Sequence, residues 1–128
     1  LEQQLTYSHV MEQVHGHTFL VGAAVPAVMA LLTLLVLRNL EARELGKMLL
    51  RFKVYIISSA VTVALMLYKG LAFVAGAGQP LDVIDAALFF GSRWFRAALF
   101  GLAHVVLFWA AGEYLYHVFR AAKGPQEA

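Results

Sequence analysis

The sequence contains no cysteine, which excludes disulfides, thiolate-bound zinc, iron–sulfur clusters and thioether-linked haem. Charge is scarce as well. Asp, Glu, Lys and Arg together make up 14% of the 128 residues, against roughly 25% in an average soluble domain. No glycine-rich phosphate loop or dinucleotide fingerprint is present. The N-terminal stretch has no basic region ahead of an apolar one, so it does not read as a signal peptide. What fills the chain instead is apolar side chain, at 61% hydrophobic residues and a mean hydropathy of +0.70. A chain of this length forms one domain, and its interior is too small to hide that much apolar surface from water. Much of it must face lipid. A soluble enzyme, a disordered chain and a collagen-like fibre are thereby excluded.

Net charge is +2 and the isoelectric point near 9.1, a balance that elsewhere suggests nucleic acid. Here the basic residues sit at the ends of apolar runs, where membrane topology explains them and no nucleic-acid partner is implied. The first run, Thr18 to Leu37, has no charge in about 20 residues, roughly 30 Å of helix. Pro26 lies inside it, which membrane helices tolerate when neighbours re-satisfy the freed carbonyl. The second run, from Val54 to Leu67 or beyond, is bounded by Lys53 and by Lys69, which must snorkel or find a partner. The third enters through Arg93, Trp94 and Arg96, leaves through Arg120, and is interrupted by Glu113.

These runs predict a single all-α integral membrane domain over 1–128. Its three transmembrane helices cover about 15–38, 52–75 and 93–120. Arg38 to Gly46 reads as a polar link between the first two spans. The turn-rich stretch from Ala75 to Pro80 leads into a short amphipathic segment, 81–90, with Asp82 and Asp85 on one side. That segment reads as a helix at the interface. Orientation follows from the basic residues. Arg38, Arg43, Lys47, Arg51 and Lys53, with Arg120 and Lys123, share one side, against Lys69, Arg93 and Arg96 on the other. This asymmetry puts the C-terminus in the cytoplasm and the N-terminus outside a bacterial-type plasma membrane.

Five histidines in so small a membrane chain are its most informative feature. His15 and His17 lie at the outer mouth of the first helix and, two residues apart, point about 200° from each other. His104 sits inside the third span, where an ionisable group is costly without a partner and marks a functional site by default. From Arg38 to His17 is 21 residues, roughly 31 Å. From Arg120 to His104, and from Lys53 to Lys69, is 16 residues, roughly 24 Å. All three side chains therefore fall in the outer half, at heights that helix tilt can match. A haem b held between His17 and His104 is geometrically allowed, and neutral imidazole is a good axial ligand. Gly101, one turn before His104, would give the macrocycle room. Arg93 and Arg96 would pair with its propionates, with Lys69 at the same height. The same histidines would also serve as hydrogen-bonding groups between helices.

The string His15-Gly16-His17-Thr-Phe-Leu-Val-Gly22-Ala23 resembles the Ala-His-Gly-His-x-x-x-x-Gly-Ala segment of the nitric oxide reductase branch of the haem–copper oxidase superfamily. In that family the two histidines ligate two haems from opposite faces of one helix. The chain also looks like small bacterial membrane proteins with this histidine pair, a second helix and a late Gly-x-x-His helix. Here those later pieces are Thr62 to Gly70 and Gly101-Leu-Ala-His104. The resemblance implies haem ligation by His17, or by His15 in its place, with His104 as partner. It does not extend to oxygen or nitric oxide reduction by this chain alone, because the further copper-ligating histidines and many spans of an oxidase are missing.

Other constellations are weaker. Glu12 and His15 have the spacing of a carboxylate-bridged di-iron helix, but the additional inward carboxylates are lacking. His9, Glu12, His15 and His17 offer a copper or zinc site at the outer mouth. Ser58 and Ser59 lie at the wrong end of the second helix for a nucleophile served by His104. Glu113 and His117, four apart, are expected to pair with each other. Gly22-Ala23-Ala24, and Gly101 with Gly112, would allow close approach of helices. Two functions fit: a haem-b-binding electron-transfer subunit of a respiratory-type complex or homo-oligomer, not an enzyme on its own, or a purely structural membrane subunit. Either expects lipid around the chain and a partner chain or self-association.

Overall fold

The structure, a computed structural model, describes residues 12–76 and 78–123, and every element among them is helical. His9 lies outside the described residues. Helix α1 is Glu12–Asn39, α2 Ala42–Ala75, α3 Leu81–Ala87 and α4 Arg93–Ala122. With 28, 34 and 30 residues, α1, α2 and α4 each exceed the roughly 30 Å of a hydrocarbon core. The protein is an all-α, multi-pass membrane protein.

The connection between α1 and α2 is shorter than the polar stretch suggested. Only Leu40 and Glu41 separate them, and α2 begins well before its apolar run. Glu44, Lys47 and their neighbours are good helix formers, and Lys47 Nζ lies 2.7 Å from Glu44 Oε1 one turn away. The charged first turns therefore extend the span as helix. At the other end of α2 the chain turns through Gly76 and enters α3. Ile84 of α3 is buried so close to Gly76 that a Cβ there would lie 2.7 Å from its Cδ1. Leu88–Gly91 follows as a 3-10 turn in which Phe89 and Phe90 both take left-handed φ, 53° and 61°. Such a conformation is strained for bulky residues and persists where packing over-determines it. Phe89 supplies that packing, edge-on to Tyr68 at 4.9 Å and Phe100 at 5.8 Å. Thus the segment expected at the interface also folds inward over the ends of α2 and α4. Ser92 then caps α4, its Oγ accepting from Phe95 N–H at 3.2 Å.

In the most apolar window of α1, α2 and α4, 17, 28 and 17% of residues are buried within the chain. Much of the remaining surface is exposed apolar side chain suited to lipid, and α2 is the central post. Lipid tails are as apolar as leucine, so burying apolar side chains does little to join such helices; packing and polar contacts must do it. The polar contacts also set the directions. Met29 and Thr33 meet Tyr114, and Asn39 Nδ2 donates to Ala121 O at 3.2 Å, so α1 and α4 run parallel. Arg51 faces Glu113 and Glu44 faces His117, so α2 runs antiparallel to α4.

Pro26 determines the most specific of these contacts. Its ring would clash with the carbonyl four residues back, and it has no N–H to give. The chain responds with a π-helical turn over Leu20–Ala24, in which Val25 N–H bonds to Leu20 O. The next bond of that turn would run from residue 26 to Val21 O, and proline cannot make it. Tyr55 Oη and Ser59 Oγ of α2 both donate to Val21 O instead, each at 3.1 Å. The freed carbonyl is thus re-satisfied by a neighbour. Of the glycines expected to mediate close approach, Gly22 fits, with Ser59 Oγ 3.9 Å from a would-be Cβ. Gly101 and Gly112 do not, because nothing lies within 4 Å and both face outward.

Because two donors share one acceptor, Tyr55→Phe or Ser59→Ala alone should cost at most about 0.6 kcal/mol in SDS-driven unfolding from micelles. The double variant, which orphans Val21 O, should cost about 1–2 kcal/mol. Adding Pro26→Ala, which restores an N–H, should recover most of that loss; no recovery would contradict this reading.

Candidate functional site

At the end of the bundle where α1 begins, three helices and the α3 segment enclose a polar junction. Asp85 is its centre. Arg96 Nη1 lies 2.6 Å from Asp85 Oδ2 and donates to the Asp85 main-chain oxygen at 2.7 Å. Lys69 Nζ lies 3.4 Å from Asp85 Oδ1 and also rests over the Phe73 ring, 5.5 Å from its centre. The partner that the sequence demanded for Lys69 is therefore Asp85. Two cations meet one carboxylate, which leaves the junction net positive.

Below this junction lies a cavity of about 340 Å³ lined by Gln13, Val14, Met66, Lys69, Arg96 and Phe100, with Ala97. Two of these residues position the predicted ligands. His17 Nδ1 is 3.0 Å from Gln13 O, and His104 Nδ1 is 2.7 Å from Phe100 O. A carbonyl only accepts, so each of these hydrogen bonds puts a proton on Nδ1, and the neutral ring then keeps its lone pair on Nε2. Gln13 and Phe100 share one cavity, and α1 and α4 run parallel. His17 and His104, each four residues further on, therefore stand about one turn past the cavity on their own helices. Both are half-buried. They do not line the cavity themselves.

The other sequence candidates are placed differently. His15 is exposed on the far side of α1 from His17. Arg93 is exposed and lines a separate cavity of about 370 Å³ with Asp82, Asp85 and Arg96. Gly101 stands in open space, one turn before His104. Among the described residues no three His, Asp or Glu side chains come together as a metal-holding group, so Glu12, His15 and His17 do not converge on one.

At the opposite end the expected pairing of Glu113 with His117 is corrected. His117 Nδ1 lies 3.1 Å from Glu44 Oε2, and Glu113 Oε2 lies 3.8 Å from Arg51 Nε. Both partners come from antiparallel α2, which presents opposite charge to the same face of α4 at two successive levels. A contact within one helix cannot compete with two across the interface. Arg51 also sits over the Trp109 ring, 4.5 Å from its centre. A second cavity of about 340 Å³ opens here, lined by Asn39, Glu41, Glu44, His117 and Arg120, with Leu40 and Ala121.

Several groups escaped notice in the sequence. Tyr55, Ser59 and Tyr114 read as ordinary span residues, and Tyr114 Oη donates to Met29 O while standing 2.7 Å from Thr33 Oγ1. The available signal was the recurrence of hydroxyls at 55, 58, 59 and 62, one side of a helix. Asp85→Asn should release Lys69 and leave Arg96 only its bond to the main-chain oxygen of residue 85, and amide exchange over residues 81–91 should quicken roughly tenfold, the factor for about 1.4 kcal/mol of local opening. Unchanged exchange would show that apolar packing of Ile84, Leu88 and Phe89 holds this segment alone. No family model, curated protein or solved structure matches the chain.

Proposed function

We propose that the chain is a haem-b-binding membrane subunit that passes electrons within a respiratory-type complex or homo-oligomer, with His17 and His104 as the residues that would hold the haem. The observation that carries this reading is the matched state of the two imidazoles. Each meets a carbonyl of its own helix through Nδ1, one turn past a shared cavity, which would leave Nε2 as the ligating atom. The junction of Lys69 and Arg96 carries one more cation than Asp85 neutralises, which suits a propionate. Gly101 leaves space beside the His104 helix. Haem b, when bound, supplies one-electron transfer between ferric and ferrous iron. His17 and His104 would hold the group, and the apolar walls of α1 and α4 would keep water from it.

Three helices that bury so little of themselves enclose a haem poorly, which favours a second chain beside them. The count of basic residues supports an orientation with the His17 end on the outer face of a bacterial-type plasma membrane. One observation favours the alternative of a purely structural subunit: Lys69 and Arg96 already have a partner in Asp85.

The two readings separate in the visible spectrum of detergent-purified protein, oxidised and then dithionite-reduced. A Soret band with sharp reduced alpha and beta bands is expected. It should be abolished by His17→Ala or His104→Ala and kept by His15→Ala. A featureless spectrum from protein made with ample haem would leave the structural reading.

A further inference from the structure

Three successive residues with left-handed φ, Phe89 at 53°, Phe90 at 61° and Gly91 at 74°, turn the chain between α3 and α4. The turn brings α3 beside the first turn of α4, where Arg96 reaches the Asp85 main-chain oxygen. Between the two helices lies the cavity of about 370 Å³ walled by Asp82, Asp85, Ala86, Gly91, Arg93 and Arg96. Its size is at the lower end of the roughly 300–1,000 Å³ typical of small-ligand sites. Asp85 and Arg96 are already joined, and Lys69 takes the second oxygen of Asp85. Asp82 and Arg93 differ from them. Both are exposed, and among the described residues neither side chain has an ion pair or a hydrogen bond. The cavity therefore presents one free carboxylate and one free guanidinium that do not meet each other.

The position of this cavity along α4 is that of a lipid headgroup. Arg96 is the last charge before the apolar stretch from Ala97 to Gly112, and Arg93 lies roughly 4.5 Å further out along the axis. Phe90 and Trp94 stand on either side of Arg93 in the sequence and are almost fully exposed, at 97 and 87%. A bulky residue with left-handed φ persists where its surroundings hold it there. Inside the chain Phe90 has the tilted ring of Phe95, 6.5 Å away, and little else covers it. Aromatic rings gather at the membrane–water interface, where they meet headgroups and the first methylenes of the acyl chains. Two bare aromatic rings thus sit next to two free, opposite charges.

We propose that this cavity binds the headgroup of a zwitterionic phospholipid with a primary ammonium, a phosphoethanolamine lipid. Arg93 donates to the phosphate oxygens, and Asp82 accepts from the ammonium. Charge complementarity selects this headgroup. A phosphoglycerol headgroup has no cation for Asp82 and brings a like charge toward it. A phosphocholine headgroup has both charges, but its quaternary nitrogen carries no N–H to donate. Such a nitrogen is held by aromatic cages, and among the described residues no aromatic side chain lines this cavity. Phe90 and Trp94 pack outside it against the acyl chains of the same lipid. The bound lipid covers the side of the turn that the chain leaves bare, and so holds α3 over the end of the bundle. Neither histidine takes part, so this site stands or falls separately from the haem reading.

Native mass spectrometry of the full chain tests this in micelles doped equally with phosphoethanolamine, phosphocholine and phosphoglycerol lipids of identical acyl chains. The phosphoethanolamine lipid should be retained several-fold over each of the others. Retention should fall stepwise as its nitrogen is methylated once, twice and three times, a series that a merely structural cavity would not follow. Asp82→Asn should remove most of the preference over phosphocholine, and Arg93→Gln should weaken both zwitterionic lipids. Both positions are exposed, so these variants keep the fold. Phe90→Ser should weaken all three lipids alike, and Arg43→Gln, exposed at the opposite end, should change nothing. Equal retention of the three lipids would overturn the proposal. So would a preference that survives the combined Asp82→Asn and Arg93→Gln change. Soluble glycerophosphoethanolamine that competes as strongly as the lipid would overturn the lipid assignment and mark a site for a free zwitterion.

Discussion

Val21 O, released by the geometry of Pro26 and taken up by Tyr55 and Ser59, sets how α1 sits on α2. In water a bundle is held by the removal of apolar surface, and many registers are nearly equivalent. In lipid that drive between helices is absent, and an unpaired carbonyl has no water to turn to. A single donor-hungry carbonyl therefore discriminates between registers far more sharply than any apolar contact nearby. Tyr114 with Met29 and Thr33, and Asn39 with Ala121, repeat the device between α1 and α4.

The depth of the candidate ligands follows from that register. His17 lies one turn before the π-helical turn and His104 one level along parallel α4, so fixing α1 against α2 and α4 fixes both imidazoles. Their Nδ1 bonds to Gln13 O and Phe100 O are local to each helix and need no tertiary partner. Ring orientation is thus set by the helices and relative height by the polar contacts between them. Asp85 adds the third constraint, drawing α3 onto Lys69 of α2 and Arg96 of α4.

The three spans, the amphipathic segment, the need of Pro26 for a neighbour and the need of Lys69 for a partner were all legible in the sequence. They follow from composition, period and the cost of burying polar groups, which are local properties. The identity of the partners was not legible. His117 has Glu113 four residues before it, and only the antiparallel packing of α2 shows that Glu44 reaches it instead. Asp85 looked like the solvent side of an interfacial helix until the left-handed turn at Phe89 and Phe90 folded it inward. The histidines were legible as unusual. Their matched protonation was not, since it depends on which atom the backbone carbonyl meets.

That matched protonation is the claim on which the haem reading rests, and nitrogen-15 NMR of histidine-labelled protein tests it most directly. The account predicts that His17 and His104 both carry their proton on Nδ1, and that both Nε2 signals change together when one equivalent of haem is added. Protons found on Nε2, or Nε2 signals indifferent to haem, would contradict it.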